Sequence, residues 1–210
     1  MMELAPYGDF ADFLIASDIF SQDEKLLRTY FHQLVEGLEY LHSNGCAHLD
    51  IKLDNLLIGD NFELKITDFD NCFVEKRDRK VISQGTNNYR APELANCECE
   101  DPFSADIFSL AVCLFALAHG AFPFKEGSIY KGFDMMDLFT KKPEEFWDVY
   151  AMYGSQLCHD SQSLMDLISA MARFNSNERA TIQDIKQNEW FKGDIYSKSE
   201  LAAVMSNLYE

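Results

Sequence analysis

Apolar residues recur at helical spacing early in the chain: Leu26, Leu27, Tyr30, Phe31, Leu34, Val35, Leu38 and Leu41. They predict one long amphipathic helix over residues 21–43. The run SQDE reads as a capping box, with Ser21 as N-cap and Glu24 reaching back. Asn44–Gly45 closes the helix, Gly45 suiting a left-handed C-terminal turn. Two short apolar runs follow, Leu56–Ile58 and Leu64–Ile66. With Gly59–Asp60–Asn61 between them they predict a β-hairpin. Residues 70–90 are polar and charged, the composition of a long loop. From Ser104 to Ala118 the chain is apolar almost all round, as in a helix buried on every side. Further helices are predicted at 133–140, 144–153, 161–173 and 181–190, and Ser197–Tyr209 reads as an appended amphipathic helix. The pattern is that of a mainly α chain with one small hairpin and one long loop, without internal repeats.

Composition changes the picture in three ways. At 47% hydrophobic residues, with 17 phenylalanines among 210 positions, a sizeable core is available. The balance of 18 basic and 35 acidic residues gives 18 − 35 = −17, which mainly serves solubility. Such a surface repels phosphate backbones, so no nucleic-acid binding is expected, and a basic partner or target motif would be attracted. The six cysteines form no CxxC pair and no metal-like Cys/His spacing. With no signal peptide they read as reduced thiols of an intracellular protein, cytoplasmic or nuclear. The longest apolar window, Ile107–Ala118, is broken by Ser109 and is too short to span a bilayer, so no membrane partner is expected.

The candidate chemistry lies in residues 47–71, AHLDIKLDNLLIGDNFELKITDFDN. A hairpin there brings its rims together, so that Asn55 and Asp68 converge. An amide oxygen and a carboxylate facing one cleft suit Mg²⁺, with phosphates and water as its other ligands. Asp50, entering the hairpin, is placed to orient an attacking hydroxyl and accept its proton. Lys52 is placed to neutralise charge on a transferring phosphoryl group.

These segments carry a family resemblance. HLDIKLDN (His48–Asn55) resembles the catalytic loop HRDxKxxN of protein kinases, and DFD (Asp68–Asp70) resembles the metal-binding DFG. GTNNYRAPE (Gly85–Glu93) looks like the peptide-binding loop, and ADIFSLA (Ala105–Ala111) is similar to the buried-helix motif. GAFPF (Gly120–Phe124) and ERATIQDIKQNEWF (Glu178–Phe191) follow in family order. The resemblance covers roughly residues 2–192 and implies the family's α+β fold, here its large C-terminal lobe and hinge (1–192) with a helical tail (193–210).

The resemblance implies roles residue by residue. Asp50 is the catalytic-base aspartate, Lys52 the phosphate-contacting lysine and Thr86 the loop threonine that contacts the aspartate and favours Ser/Thr substrates. Asn55 and Asp68 are the Mg²⁺ ligands. MELAPYGDFADFL looks like the hinge, with Met2 behind the adenine pocket, Glu3 and Ala5 offering backbone bonds to adenine, Asp9 facing the ribose and Leu57 flooring the pocket. Glu93 and Arg179 form a buried ion pair, and Asp106 holds the catalytic loop through backbone amides. Plainer readings stand beside these: His48 braces the loop, Asp9 caps a helix beginning near Phe10, and Phe69 packs in the core.

Three departures qualify the resemblance. Leu49 replaces the arginine that pairs with an activation-loop phosphate, so phospho-activation through that contact is not expected. Asp70 replaces the DFG glycine, a position where backbone freedom matters. The chain begins at the hinge: residues 1–46 hold no GxGxxG, no VAIK lysine and no partner glutamate, and a small lobe is expected from a longer gene product. The expected function is ATP-dependent phosphorylation of protein Ser/Thr hydroxyls with Mg²⁺. The alternative is a kinase-like binding module without turnover.

Overall fold

The computed structural model describes residues 3–96, 99–153 and 161–209; Met2, assigned above to the adenine pocket, lies outside them. Helices dominate. The chain opens with α1 (Phe10–Ala16), α2 (Ile19–Gln22) and the long α3 (Glu24–Ser43). Asp9 caps α1, its carboxylate accepting from Asp12 N–H at 2.8 Å.

The start of α3 corrects the sequence reading. Ser21 lies inside α2, where its hydroxyl donates to the Asp18 carbonyl. The N-cap is Asp23, whose Oδ1 accepts from Leu26 N–H at 2.9 Å. Glu24 does not reach back; it accepts from the Trp190 indole at 2.8 Å. At the other end Gly45 takes φ +70°, the left-handed turn expected.

β1 (Cys46–Ala47) follows, then a 3₁₀ turn (Leu53–Asn55), β2 (Leu56–Ile58) and β3 (Leu64–Ile66). β2 and β3 pair antiparallel in the register Leu56↔Ile66, Leu57↔Lys65, Ile58↔Leu64. The connection is longer than Gly59–Asn61: Gly59 N–H donates to Glu63, and Phe62 takes φ +58° with its ring buried. Residues 7–9 run beside β2, with Ile58 N–H donating to Gly8 at 2.9 Å and a bridge between Asp9 and Leu57. The segment that resembles a hinge is thereby fixed to the hairpin.

The long loop contains one further strand, β4 (Phe73–Val74), which pairs with β1. After a short α4 (Pro92–Ala95) comes α5 (Pro102–His119), buried along its length as its sequence predicts. Asp101 caps it, Pro102 occupies its first turn and Gly120 ends it at φ +66°. By length and composition α5 could cross a bilayer, yet 94% of it is buried inside the fold. It is the axis of the core, flanked by α2, α3 and α8 (Gln162–Met171).

A second hairpin, β5 (Ile129–Tyr130) with β6 (Phe133–Asp134), precedes α6 (Met135–Lys141) and α7 (Pro143–Tyr153). Their aromatics clasp the end of α5: Phe115 meets Phe139, Phe146 and Trp147 with ring centroids 5.7–5.9 Å apart. The chain ends with α9 (Ile182–Gln187) and α10 (Lys198–Tyr209). α10 returns to the beginning: Leu201 and Met205 are buried, and the Tyr209 hydroxyl donates to the Tyr7 carbonyl at 3.1 Å.

Candidate active site

The catalytic-loop segment, residues 48–55, is suspended from α5. Asp106, fully buried, accepts from the backbone N–H groups of His48 (2.8 Å) and Leu49 (2.7 Å). His42, in the last turn of α3, donates to the same carboxylate at 2.9 Å. Three donors on one buried carboxylate satisfy its charge and fix the loop's entry. The motif reading anticipated the two amides and missed His42. Its signal was position, one turn beyond Leu38 on the apolar face of α3.

His48 braces the loop, as the plainer reading held. Its Nε2 donates to the Thr67 carbonyl at 2.9 Å and its Nδ1 accepts from Asp50 N–H at 3.3 Å. Leu49 takes φ +62° and is buried, packing where a charged side chain would have needed a partner.

Around Asp50 the expected groups gather. Asp50 is 5% exposed. Thr86 Oγ1 donates to its Oδ1 at 2.5 Å, and Lys52 Nζ donates both to Asp50 Oδ2 and to Thr86 Oγ1, each at 3.0 Å. The Asn55 amide nitrogen donates to the Asp50 carbonyl at 2.9 Å. Three residues from two distant segments thus form a closed triangle of charge-assisted bonds. Such a triangle holds a carboxylate and an ammonium where a hydroxyl could approach both.

The candidate metal-binding pair, Asn55 and Asp68, is brought together through the backbone. Thr67 N–H donates to the Asn55 carbonyl at 3.0 Å, so Asp68 leaves β3 beside Asn55. Asp68 is exposed, with φ +64°. The donor set suits Mg²⁺: Asn55 commits its amide nitrogen to Asp50 and keeps its oxygen for a hard cation, and Asp68 supplies a carboxylate open to solvent. Among the described residues no three His, Cys, Asp or Glu side chains cluster as a metal cage.

Two readings around this loop need correction or refinement. Phe69 is not in the core: it is 43% exposed, its ring standing edge-on to His48 at 5.1 Å. The left-handed Asp68 breaks the strand's alternation and turns the next side chain outward. Asp70 needs no glycine-like freedom, because the left-handed residue is Asp68; Asp70 N–H instead points back at Asp68 Oδ1, 3.4 Å away.

Of the residues assigned by resemblance to the adenine pocket, Glu3 is exposed, Ala5 and Leu57 are half-buried and Asp9 is occupied as a helix cap. At the end of the segment 85–93, Arg179 reaches Glu93 through two bonds of 2.5 and 2.7 Å and also donates to the carbonyls of Arg173, Ser104 and Phe174. A second pair unread in the sequence lies in front: Arg90 grips Glu126 at 2.5 and 3.1 Å, and Asn88 accepts from Glu126 N–H at 2.8 Å. Tyr89 between them is buried, which pushes its phenol upward and keeps it neutral.

The family model described as "Protein kinase domain" matches residues 1–191. The chain belongs to the protein kinase family. It is 34% identical over 196 residues to the "Probable serine/threonine-protein kinase RTK1" of Saccharomyces cerevisiae, covering 90% of this chain and 31% of that one. It is 37% identical over 171 residues to the "Serine/threonine-protein kinase STK11" of Gallus gallus, covering 78% and 35%. With the "CBL-interacting serine/threonine-protein kinase 8" of Arabidopsis thaliana it shares 32% over 198 residues, covering 92% and 41%. The chain therefore spans between 31% and 41% of the length of these relatives.

Proposed function

We propose that this kinase-family chain carries the catalytic half of a serine/threonine kinase, transferring the γ-phosphoryl group of ATP to protein Ser or Thr hydroxyls. The observation that carries the reading is the Asp50–Lys52–Thr86 triangle. Asp50 orients the substrate hydroxyl and accepts its proton as the O–P bond forms. Lys52 offers its ammonium to the transferring phosphoryl group, and Thr86 holds Asp50 in position. Asn55 and Asp68 would hold Mg²⁺, which when bound neutralises phosphate charge. Glu3 and Ala5 would meet adenine through their backbone, joined by Met2 behind it, with Leu57 as floor and Asp9 towards the ribose.

The other parts of the reading are proposals of the same kind. The net charge of −17 supports a basic motif in the protein substrate. The glycine-rich loop and the VAIK-type lysine, not found in residues 1–46, would come from a small lobe in a longer gene product. An intracellular setting, cytoplasmic or nuclear, accompanies this reading.

The test is phosphoamino-acid analysis of a peptide library treated with Mg²⁺-ATP and the protein that joins these residues to its small lobe. Phosphoserine and phosphothreonine are expected. Phosphotyrosine alone would overturn the Ser/Thr assignment, and peptide capture without any transfer would favour the binding-module reading.

A further inference from the structure

Two thiols meet beside the catalytic loop. β1 and β4 pair in the register Cys46↔Val74, Ala47↔Phe73. Cys72, two residues before Val74, therefore faces the same side of the ladder as Cys46. The two thiols are diagonal neighbours on that face, near enough for Cys72 to disfavour ionisation of Cys46, and both are half-buried and free. The ladder continues outward through Glu75 N–H to the Gly45 carbonyl at 3.0 Å, which keeps the two segments in place.

A third side chain completes the arrangement. Arg77 donates from Nη2 to the Cys72 carbonyl at 3.2 Å. Asp78 holds that guanidinium at 2.8 and 2.9 Å, while also accepting from Val74 N–H at 2.8 Å. The guanidinium is thus fixed beside Cys72. Burial and the neighbouring Cys72 push the Cys46 thiol up to about 11, so it keeps its proton at neutral pH.

We propose that Cys46 and Cys72 are a paired oxidation site that closes to a reversible disulfide under a hydroperoxide, with Cys72 attacked first and Cys46 resolving. In the first step the Cys72 sulfur attacks hydrogen peroxide; the O–O bond breaks, an S–O bond forms, and Cys72–SH plus H₂O₂ become Cys72–SOH plus water. In the second, the Cys46 sulfur attacks Cys72–SOH; the S–S bond forms, the S–O bond breaks, and the Cys46 proton leaves with the hydroxyl as a second water. A cellular thiol reverses the bond by exchange. Its place gives it consequence: Cys46 stands four residues before Asp50 and Cys72 four residues after Asp68, so the bond ties together the strands that enter and leave the cleft.

The site does not depend on the kinase reading, and neither does its test. The 210-residue protein is treated with hydrogen peroxide, alkylated, digested and analysed by mass spectrometry. A Cys46–Cys72 linked peptide, lighter by two hydrogens and abolished by dithiothreitol, is expected, with Cys99 and Cys113 recovered alkylated. Cys46→Ser should halt the sequence at the sulfenic acid and raise dimedone labelling at Cys72 well above that at Cys99. Full alkylation of both thiols after peroxide, or dimedone labelling of the variant no greater at Cys72 than at Cys99, would overturn the proposal.

Discussion

Arg179 and Glu93 stand 86 residues apart in sequence and share two charge-assisted bonds, with side chains 1% and 14% exposed. The pair pins Glu93, in α4, to the start of α5, where Arg179 also bonds the Ser104 carbonyl. Removing one partner strands the other charge in a desolvated site, a loss of about 3–5 kcal/mol. Folded domains have only about 5–15 kcal/mol to lose. Arg179→Ala should therefore melt far below the parent or fail to stay soluble. Glu93→Leu with Arg179→Met should recover part of that loss. Recovery stays incomplete because three backbone carbonyls lose the guanidinium as well. Thermal melting of the three proteins checks this, and a single variant melting with the parent would contradict it.

The cap of α3 gives a sharper local test. Asp23 accepts from Leu26 N–H and, through its other oxygen, from the Tyr196 hydroxyl at 2.8 Å. Asp23→Ala should cost about 1–2 kcal/mol, the loss of an N-cap with one further hydrogen bond. Ser21→Ala, at an exposed hydroxyl inside α2, should stay within about 0.5 kcal/mol of the parent. Urea denaturation of both variants separates the two assignments.

How much of this was legible in the sequence follows from the reach of each interaction. α5 and the β2–β3 hairpin announced themselves, because a buried helix and a hairpin are written in local periodicity. Asp50, Lys52, Asn55 and Thr86 were legible because motif spacing encodes a shared fold, and the structure brings them together. Asp23 was missed because a four-residue helix such as α2 has no period to betray it, and two capping side chains lie two residues apart. The β1–β4 ladder was missed for a related reason: two-residue strands leave no alternation, and the nearer pair, Ala47 and Phe73, is 73 − 47 = 26 positions apart. His42 and Arg90 sit in patterns that serve a helix and a loop equally well; only packing reveals their partners.

Tyr209 tests whether α10 supports the hinge segment. Its ring lies 4.9 Å from Tyr7 and 5.9–6.0 Å from Phe62 and Phe13, and its hydroxyl bonds the Tyr7 carbonyl. Tyr209→Ala should lower the melting temperature and quicken hydrogen exchange at Ile58 N–H, which bonds Gly8. Tyr209→Phe, keeping the ring, should restore most of the protection. Equal exchange in parent and Tyr209→Ala would show that the helix end carries no load there.

His32 supplies a pH dependence. Its ring stacks on Phe191 at 3.7 Å and donates to the Phe191 carbonyl at 2.6 Å. Burial holds its pKa below the ordinary value, partly offset by that bond and by Glu36. With the folded pKa depressed, the unfolded chain takes up the proton first as pH falls. The contribution of His32 is complete above about 6.5 and is lost progressively below it. The stability difference between parent and His32→Gln, measured by denaturation from pH 7.5 to 5, should shrink as the pH drops. A difference that grows on acidification would contradict the assignment.

The central claim is that Asp50, held by Thr86 and Lys52, performs the proton-accepting role in phosphoryl transfer. Its most direct measurement is the transfer of labelled phosphate from Mg²⁺-ATP to a Ser/Thr peptide by the protein joined to its small lobe, comparing parent with Asp50→Asn. Asparagine keeps the shape and removes the charge that accepts the proton. The account predicts a loss of about 10²–10⁴-fold in kcat with the fold intact by thermal melting. Undiminished transfer by Asp50→Asn would contradict it.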